Sequence, residues 1–236
     1  MFWKRVVRKT LARMGYSIRS INGSDEICGV DLGHDLRICL RDKMGPVLFD
    51  VGANTGQTIG FMLDNFREPR IVAFEPSPAT FAALNTRFGN KPNIRLENKA
   101  LSAERQTSIL HVTRGSSVND SLLEPVWDAG AQKVDIQVDT VDQYCQDHGI
   151  EVIDSLKIDT QGNDLNVLRG ATRMLAGKKV RTLYVEVIFT SLYKGQPALT
   201  DFLSLLTSFE YQLLGIYDQN YLYNRLWYCN ACFVAA

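Results

Sequence analysis

Apolar residues follow two different spacings along most of the chain. PVLFDV and RIVAFEP are short continuous apolar runs, typical of strands buried on both faces. TGQTIGFMLDNF and SPATFAALNTRFG repeat their apolar residues with a helical period, and Ser77 is predicted to cap the second helix ahead of Pro78. Strands that alternate with helices predict βαβ units, and hence an α/β domain with a mostly parallel sheet and helices on both faces.

The second half of the chain continues this pattern with two variations. NIRLENKAL predicts a third strand, and TSILHVT and KVDIQVDT alternate polar and apolar residues around a polar loop. IDSLKIDT and VRTLYVEV predict two buried strands with the helix NDLNVLRGATRML between them, and ALTDFLSLLTSF predicts a last helix. YQLLGIY and LWYCNACFVA are separated only by a short polar link, which predicts an antiparallel hairpin at one sheet edge.

Residues 1–45 predict an extension ahead of the domain formed by residues 46–236. The first 20 residues predict an amphipathic helix with one apolar and one basic face. Its basic residues are Lys4, Arg5, Arg8, Lys9 and Arg13. Such a helix either packs on its own domain or makes peripheral contact with an anionic membrane. Residues 25–41, which contain Gly29 and Gly33, predict a hairpin.

Composition narrows the class of protein and its partners. The chain of 236 residues fits a single α/β domain. Its 26 basic and 26 acidic residues give a net charge of 0, so no nucleic-acid partner is expected. The five cysteines are odd in number and scattered, which predicts a reduced, cytoplasmic protein. No apolar run reaches the roughly 18 residues that span a bilayer.

The segment VLFDVGANTGQT is where the chemistry of the chain begins, because it joins the first predicted strand to a helix. Its pattern is D-x-G-x-x-x-G, formed by Asp50, Gly52 and Gly56. The G-x-G-x-x-G fingerprint of dinucleotide sites and the Gly-Lys-Ser/Thr of a P-loop are both absent from it. Glu75 ends the next strand, where an acid can accept hydrogen bonds from both hydroxyls of a ribose.

S-adenosylmethionine has the groups that these residues would bind. Its carboxylate fits the backbone N–H groups at the helix start, its ammonium fits Asp50 directly or through water, and its ribose fits Glu75. The predicted cofactor residues are Asp50, Gly52, Asn54, Thr55, Gly56 and Glu75, with Asn98 and Ala100 placed at the adenine. The alternative is an ordinary tight turn in which Asp50 caps the helix.

Four motifs together resemble one family. LFDVGANTGQT, AFEPSP, LKIDTQGNDLNVLRGA and LYKGQ resemble the FkbM family of S-adenosylmethionine-dependent methyltransferases. The resemblance implies the class I, Rossmann-like fold, with seven strands and an antiparallel last strand. It also implies methyl transfer, usually to oxygen, in natural-product or glycan tailoring. Ser116 and Ser117 match a paired serine of the family, whereas Asn230 replaces an acid that many members have.

Two acids are the candidates for contact with the methyl acceptor. Asp159 and Glu186 end neighbouring predicted strands, and a carboxylate at that edge can take the proton of an acceptor hydroxyl. Lys157 shares a strand face with Asp159 and is a candidate partner charge. A divalent metal held by Asp159, Asp164 and Glu186 stays an option, although no close His/Asp spacing calls for one.

The expected function is O-methylation of a hydroxyl on a small molecule, sugar or glycan. Residues 114–128 and 189–197 are predicted to form the acceptor loops, with Trp127, Phe189 and Tyr193 as candidate walls. N-methylation of a similar substrate is a near alternative. A non-catalytic module that binds S-adenosylmethionine is the alternative from another class. A dinucleotide oxidoreductase is disfavoured, since the second loop glycine is missing.

Overall fold

A computed structural model describes residues 7, 11, 27, 29–113, 117–128 and 130–236. The predicted N-terminal amphipathic helix falls almost entirely outside these residues, and so does Ser116. The described helices are α1 (Leu32–Cys39), α2 (Gln57–Asn65), α3 (Pro78–Phe88), α4 (Val141–Asp147), α5 (Asp164–Arg169), α6 (Thr172–Ala176) and α7 (Leu199–Ser208). None of them is long and apolar enough to cross a membrane.

The described strands form a large and a small sheet. They are β1 (Val47–Val51), β2 (Arg70–Phe74), β3 (Ile94–Glu97), β4 (Ala100–Leu101), β5 (Gln106–Val112), β6 (Gln132–Asp139), β7 (Ile153–Ile158), β8 (Val180–Ile188), β9 (Tyr211–Leu222) and β10 (Arg225–Ala235). The large sheet has seven strands in the order β3-β2-β1-β7-β8-β10-β9, and the small sheet has the order β4-β6-β5.

The predicted mostly parallel sheet with an antiparallel last strand is confirmed. β3, β2, β1, β7 and β8 are parallel neighbours, and β10 runs antiparallel to both β8 and β9. β9 and β10 form the predicted hairpin at the sheet edge. All residues of β7 are buried, as expected of a central parallel strand between two helical layers, and Asp154, Ser155 and Lys157 are buried polar residues among them.

Helices cover both faces of the large sheet, as predicted. On one face, α1, α2 and α3 pack through residues such as Leu36, Met62 and Leu84. On the other face, α4 to α7 pack through residues such as Tyr144 and Phe202. The polar ends of the parallel strands therefore emerge at a single edge between two apolar layers.

The hairpin predicted within residues 25–41 is wrong where the structure describes that segment, because residues 32–39 form α1. The side chain of Asp31 accepts a 2.9 Å hydrogen bond from the His34 N–H and so caps the helix. Gly33 suggested a turn, but glycine is required at this position for a different reason. A Cβ there would lie 2.3 Å from Asn65 Oδ1, so glycine permits α1 to pack closely on α2.

Two predicted elements are each divided in the structure. NIRLENKAL contains β3 in the large sheet and β4 in the small one, because β4 pairs with β6. NDLNVLRGATRML contains α5 and α6, which are separated at Gly170. A Cβ at Gly170 would lie 2.1 Å from the Ser102 carbonyl oxygen, so the chain bends where it passes β4.

Candidate active site at the strand ends

The glycine loop between β1 and α2 has a backbone that only glycine adopts easily at two positions. Gly52 has φ +80° and Gly56 has φ +90°. The N–H groups of Gly52 and Ala53 both donate to the Phe74 carbonyl oxygen, which ties the loop to the end of β2. A Cβ at Gly52 would lie 1.8 Å from the Asp159 carbonyl oxygen. The loop therefore lies directly against the end of β7.

Asp50 and Lys157 form a buried ion pair beneath this loop. They are paired residues on β1 and β7, and Asp50 Oδ1 lies 2.9 Å from Lys157 Nζ. The ammonium donates a 2.8 Å hydrogen bond to the Gly52 carbonyl oxygen and lies 3.6 Å from Asp159 Oδ2. Burial alone would lower the pKa of Lys157, but the Asp50 and Asp159 carboxylates hold that pKa above its ordinary value. The predicted partner charge is present.

Glu75 is held by two backbone amides at the end of β2. Its Oε2 accepts a 2.8 Å hydrogen bond from the Asn54 N–H, and its Oε1 accepts a 2.9 Å bond from the Ser77 N–H. Burial raises the pKa of Glu75 to about 7, although both amides favour the charged form. Each carboxylate oxygen keeps a further lone pair for a ligand.

A cavity of about 450 Å³ runs along the strand ends from Glu75 to Glu186. The predicted site residues that line it are Gly52, Asn54, Glu75, Ala100, Asp159 and Glu186. The predicted site residues that are not part of its lining are Asp50, Thr55, Gly56 and Asn98. The structure thus brings six of the ten predicted residues to one cavity.

The four remaining residues support the wall of the cavity. Asp50 is fully buried behind Lys157, so a direct contact with a ligand ammonium is not supported by its position. Asn98 Nδ2 donates to the carbonyl oxygens of Glu75 and Pro76, at 2.8 and 3.1 Å. The Thr55 N–H donates to Asn54 Oδ1, and the Gly56 N–H donates to the Ala53 carbonyl oxygen.

Asp159 and Glu186 lie together at the far end of the cavity. Gln161 Nε2 donates a 2.9 Å hydrogen bond to Asp159 Oδ1 and another of 2.9 Å to Glu186 Oε2. Burial, followed by the carboxylates of Asp159 and Asp164, raises the pKa of Glu186 to about 9, against the opposing effects of Lys157 and the Gln161 hydrogen bond. We refer to Asp159, Gln161 and Glu186 as the carboxyl pair and its bridging amide.

Apolar and aromatic residues form the wall beside the carboxyl pair. Ile188, Leu192, Trp227 and Tyr228 line the cavity there, and the rings of Trp227 and Tyr228 meet edge to face at 5.2 Å. Of the predicted walls, Trp127 and Phe189 are exposed and are not part of the lining. Tyr193 is buried behind the wall, and its hydroxyl lies 3.0 Å from Gln161 Oε1.

Sequence reasoning missed several residues of the cavity. Gln161 follows Asp159 by two positions in KIDTQG, a motif that served only to indicate the family. Asp120 lines the cavity, and its Oδ2 is buried with no hydrogen-bond partner among the described residues. Trp227 and Tyr228 were assigned to a strand without a role. Ser117, which was noted, donates to Asn54 Oδ1 at 3.3 Å.

The metal option through Asp164 is not supported by the position of that side chain. Asp164 accepts hydrogen bonds from the backbone N–H groups of Thr160 and Gly162, at 3.1 and 3.0 Å, so it closes the turn after β7. Within the described part of the chain, no group of three or more His, Cys, Asp or Glu residues is arranged to hold a metal ion.

The segment that forms the glycine loop and the strand ends matches a known protein family. Residues 50–213, more than half of the chain, match the family model described as the methyltransferase FkbM domain. The chain belongs to the FkbM methyltransferase family. The resemblance noted in the sequence is thereby confirmed, and S-adenosylmethionine is the methyl donor expected of an FkbM-family site.

Two curated proteins are similar in sequence to this FkbM-family chain. It is 27% identical over 190 residues to the 2-O-methyltransferase NoeI of Sinorhizobium fredii, with 75% of this chain and 77% of that protein covered. It is 27% identical over 164 residues to the methyltransferase sdnD of Sordaria araneosa, with 53% and 60% covered.

The crystal structure of an FkbM methyltransferase from Methylobacillus flagellatus superposes with a TM-score of 0.54 at 17% identity. The match covers 80% of this chain but only 43% of that one, so the present chain spans less than half the length of that protein. At this identity the match shows a shared fold, the class I, Rossmann-like methyltransferase fold.

Proposed function

We propose that this protein transfers the methyl group of S-adenosylmethionine to a hydroxyl oxygen of a sugar or glycan. The observation that carries the proposal is one cavity with two different ends. Glu75 and the glycine loop lie at one end, and the carboxyl pair of Asp159 and Glu186 lies at the other. A donor and an acceptor bound in one cavity are aligned for an in-line displacement with water excluded.

The Glu75 end has the groups that the cofactor needs. The carboxylate of Glu75 would accept hydrogen bonds from the two ribose hydroxyls, since its orientation is fixed by Asn54 and Ser77. The glycine loop would lie against the methionine part of the cofactor, and Ala100 would face its adenine ring. Asp120, with one oxygen unpartnered among the described residues, would pair with the cofactor ammonium.

The carboxyl pair would act on the acceptor hydroxyl. The raised pKa of Glu186 favours its neutral carboxylic acid form, which would donate or accept a hydrogen bond there. Asp159 has a side chain that is 37% exposed and is the better placed of the two to take the hydroxyl proton as the new bond forms. Methyl transfer then leaves S-adenosylhomocysteine and a protonated carboxyl group.

Two independent observations favour oxygen as the methylated atom and a sugar as the acceptor. The curated relative NoeI is named a 2-O-methyltransferase. Trp227 and Tyr228 add flat apolar faces beside two carboxyl groups, a combination that suits the C–H face of a sugar ring and its hydroxyls. Membrane contact through the N-terminal segment and a cytoplasmic location stay predictions from the sequence.

Calorimetric titration with S-adenosylhomocysteine, with NAD as the comparator, tests the cofactor. Glu75→Ala should abolish binding, whereas Glu104→Ala, at an exposed acid outside the cavity, should leave it unchanged. Release of S-adenosylhomocysteine is then measured with a panel of saccharides, phenols and amines as acceptors. Binding without turnover on the whole panel would favour the non-catalytic module, and absence of binding would overturn the proposal.

A further inference from the structure

Gln161 occupies a position that matches the hydrogen-bonding capacity of an amide. Its Nε2 has two hydrogens, and the two nearest acceptors are Asp159 Oδ1 and Glu186 Oε2, each at 2.9 Å. The hydrogen-bond network assigns the amide nitrogen, rather than the amide oxygen, to the side that faces these two carboxyl oxygens. Gln161 Oε1 then lies 3.0 Å from the Tyr193 hydroxyl and accepts from it, and the Asn119 carbonyl oxygen is a second acceptor of that hydroxyl at 3.2 Å.

The main chain of Gln161 is fixed as firmly as its side chain. Its φ is +54°, in the left-handed region that a residue with a Cβ seldom adopts. Its carbonyl oxygen accepts a 2.6 Å hydrogen bond from Ser121 Oγ. Such a backbone persists only where the surroundings impose it, and such positions cluster at functional sites.

These contacts connect Gln161 to both acceptor loops. Ser121 belongs to the loop between β5 and β6, and Tyr193 belongs to the loop between β8 and α7. Tyr193 is itself fixed, because Gln196 Oε1 accepts the backbone N–H groups of Leu192 and Tyr193 at 2.8 and 3.0 Å. The two loops therefore meet at one residue, Ser121 at the main chain of Gln161 and Tyr193 at its side chain.

We propose that Gln161 is the positioning residue of the acceptor site, which holds Asp159 and Glu186 at a fixed separation and transmits the position of Tyr193 to them. This role rests on the proposed function, since it concerns the same carboxyl pair. Movement of the loop that carries Tyr193 would rotate the amide and change which carboxyl group is hydrogen-bonded. The acceptor loops thereby govern both the shape of the site and its proton affinity.

The charged and titratable groups that face Glu186 come from several elements. They are Lys157 and Asp159 at the end of β7, Asp164 in α5, Tyr193 in the acceptor loop, and Tyr228 and Cys229 on β10. Burial and the acids favour the neutral form of Glu186, whereas Lys157 and the Gln161 amide favour the carboxylate. Removal of the amide should therefore raise the pKa of Glu186.

Carbon-13 spectroscopy of the glutamate carboxyl groups measures this effect without any acceptor. The Glu186 resonance, assigned by its loss in Glu186→Gln, should titrate near pH 9 in the full chain. Gln161→Leu should raise its midpoint by about one unit, a tenfold change in proton affinity. Tyr193→Phe should shift it in the same direction by less, because the amide stays but loses its orienting donor.

Two further variants exclude a purely structural explanation. Gln161→Asn suits the left-handed backbone but shortens the side chain by one methylene, so it should shift the midpoint much as Gln161→Leu does. Gln137→Leu, at an exposed amide on β6, should leave it unchanged. An unchanged Glu186 midpoint in folded Gln161→Leu and Gln161→Asn would overturn the positioning role.

Failure of the positioning role is distinguishable from failure of the proposed function. If the unaltered protein does not bind S-adenosylhomocysteine, the cofactor assignment is overturned. The pH titration of Glu186 would still report on the role of Gln161. Normal binding with an unchanged midpoint in both Gln161 variants would overturn the positioning role alone.

Discussion

Lys157 is the residue on which the electrostatics of the strand ends depends. Its side chain is only 6% exposed, and it lies within 4 Å of both Asp50 and Asp159. A buried charge is tolerated in a protein only when it is paired and hydrogen-bonded. Lys157 meets that condition through Asp50 and the Gly52 carbonyl oxygen, and it links the charge balance to the glycine loop.

Lys157→Met should destabilise the fold by about 3–5 kcal/mol, because Asp50 would stay buried without a counter-charge. The double variant Asp50→Asn with Lys157→Met removes both charges and should recover most of that loss. Urea unfolding of the two variants measures the difference. Equal destabilisation by both would show that packing, rather than the ion pair, sets the cost.

Glu75 gives cofactor binding a pH dependence with a defined sign. In the proposed function the carboxylate form of Glu75 would accept hydrogen bonds from both ribose hydroxyls, and burial raises the pKa of Glu75 to about 7. Affinity for S-adenosylhomocysteine should therefore be greatest above pH 7 and should weaken by up to about tenfold per unit as the pH falls below it. Calorimetry across this range checks the slope. Glu75→Gln should bind weakly at every pH, and a wild-type affinity that is independent of pH would contradict the assignment.

At the scale of elements, substitutions of Gly52 in the glycine loop and of Gly60 in the helix after it can be compared directly. Gly52→Ala adds a Cβ 1.8 Å from the Asp159 carbonyl oxygen at φ +80°, so β1 and β7 would have to separate. We expect loss of measurable S-adenosylhomocysteine binding and a lower midpoint of thermal unfolding.

Gly60→Ala is the control, because Gly60 lies inside α2 and a Cβ there meets no atom within 4 Å. It should keep binding intact and stabilise the protein by about 0.5–1 kcal/mol. Thermal unfolding and calorimetry of both variants test the comparison. Equal effects at the two glycines would show that the close approach at Gly52 is unimportant.

Features that are encoded by residues close together in the sequence were predictable from it. The glycine loop and Glu75 follow from the order of strand, acid and turn, and β1 and β2 follow from their continuous apolar runs. Helix α1 was missed because Gly33 resembles a turn residue, while its actual partner, Asn65, lies 32 positions away. The contact of Gln161 with Tyr193 also spans 32 positions and depends on how two loops fold, which no local pattern contains.

At the scale of the whole molecule, the cavity joins two halves of one sheet. The strands β1 and β2 present the glycine loop and Glu75, whereas β7, β8 and β10 present Asp159, Glu186 and Trp227. A ligand that spans the cavity therefore contacts both halves and should stabilise the fold as one unit.

S-adenosylhomocysteine at about one hundred times its dissociation constant should stabilise the folded state by about 2.7 kcal/mol. For a chain of 236 residues this corresponds to a rise in Tm of roughly 5–11 °C. Differential scanning calorimetry measures the rise, with NAD as the comparator that should give none. A rise in Tm with NAD equal to that with S-adenosylhomocysteine would contradict the selectivity of the site.

The insertion of β10 between β8 and β9 has a consequence for synthesis on the ribosome. β9 is made before β10, but β10 is its one neighbour among the described strands of the sheet. Until residues 225–235 have paired, β8 exposes one open edge and β9 lacks its strand neighbour, a state prone to wrong association. The Glu75 end of the cavity is formed by β1, β2 and the loops after them, so we expect a nascent chain to gain affinity for a ligand at that end before it gains the wall of Trp227 and Tyr228.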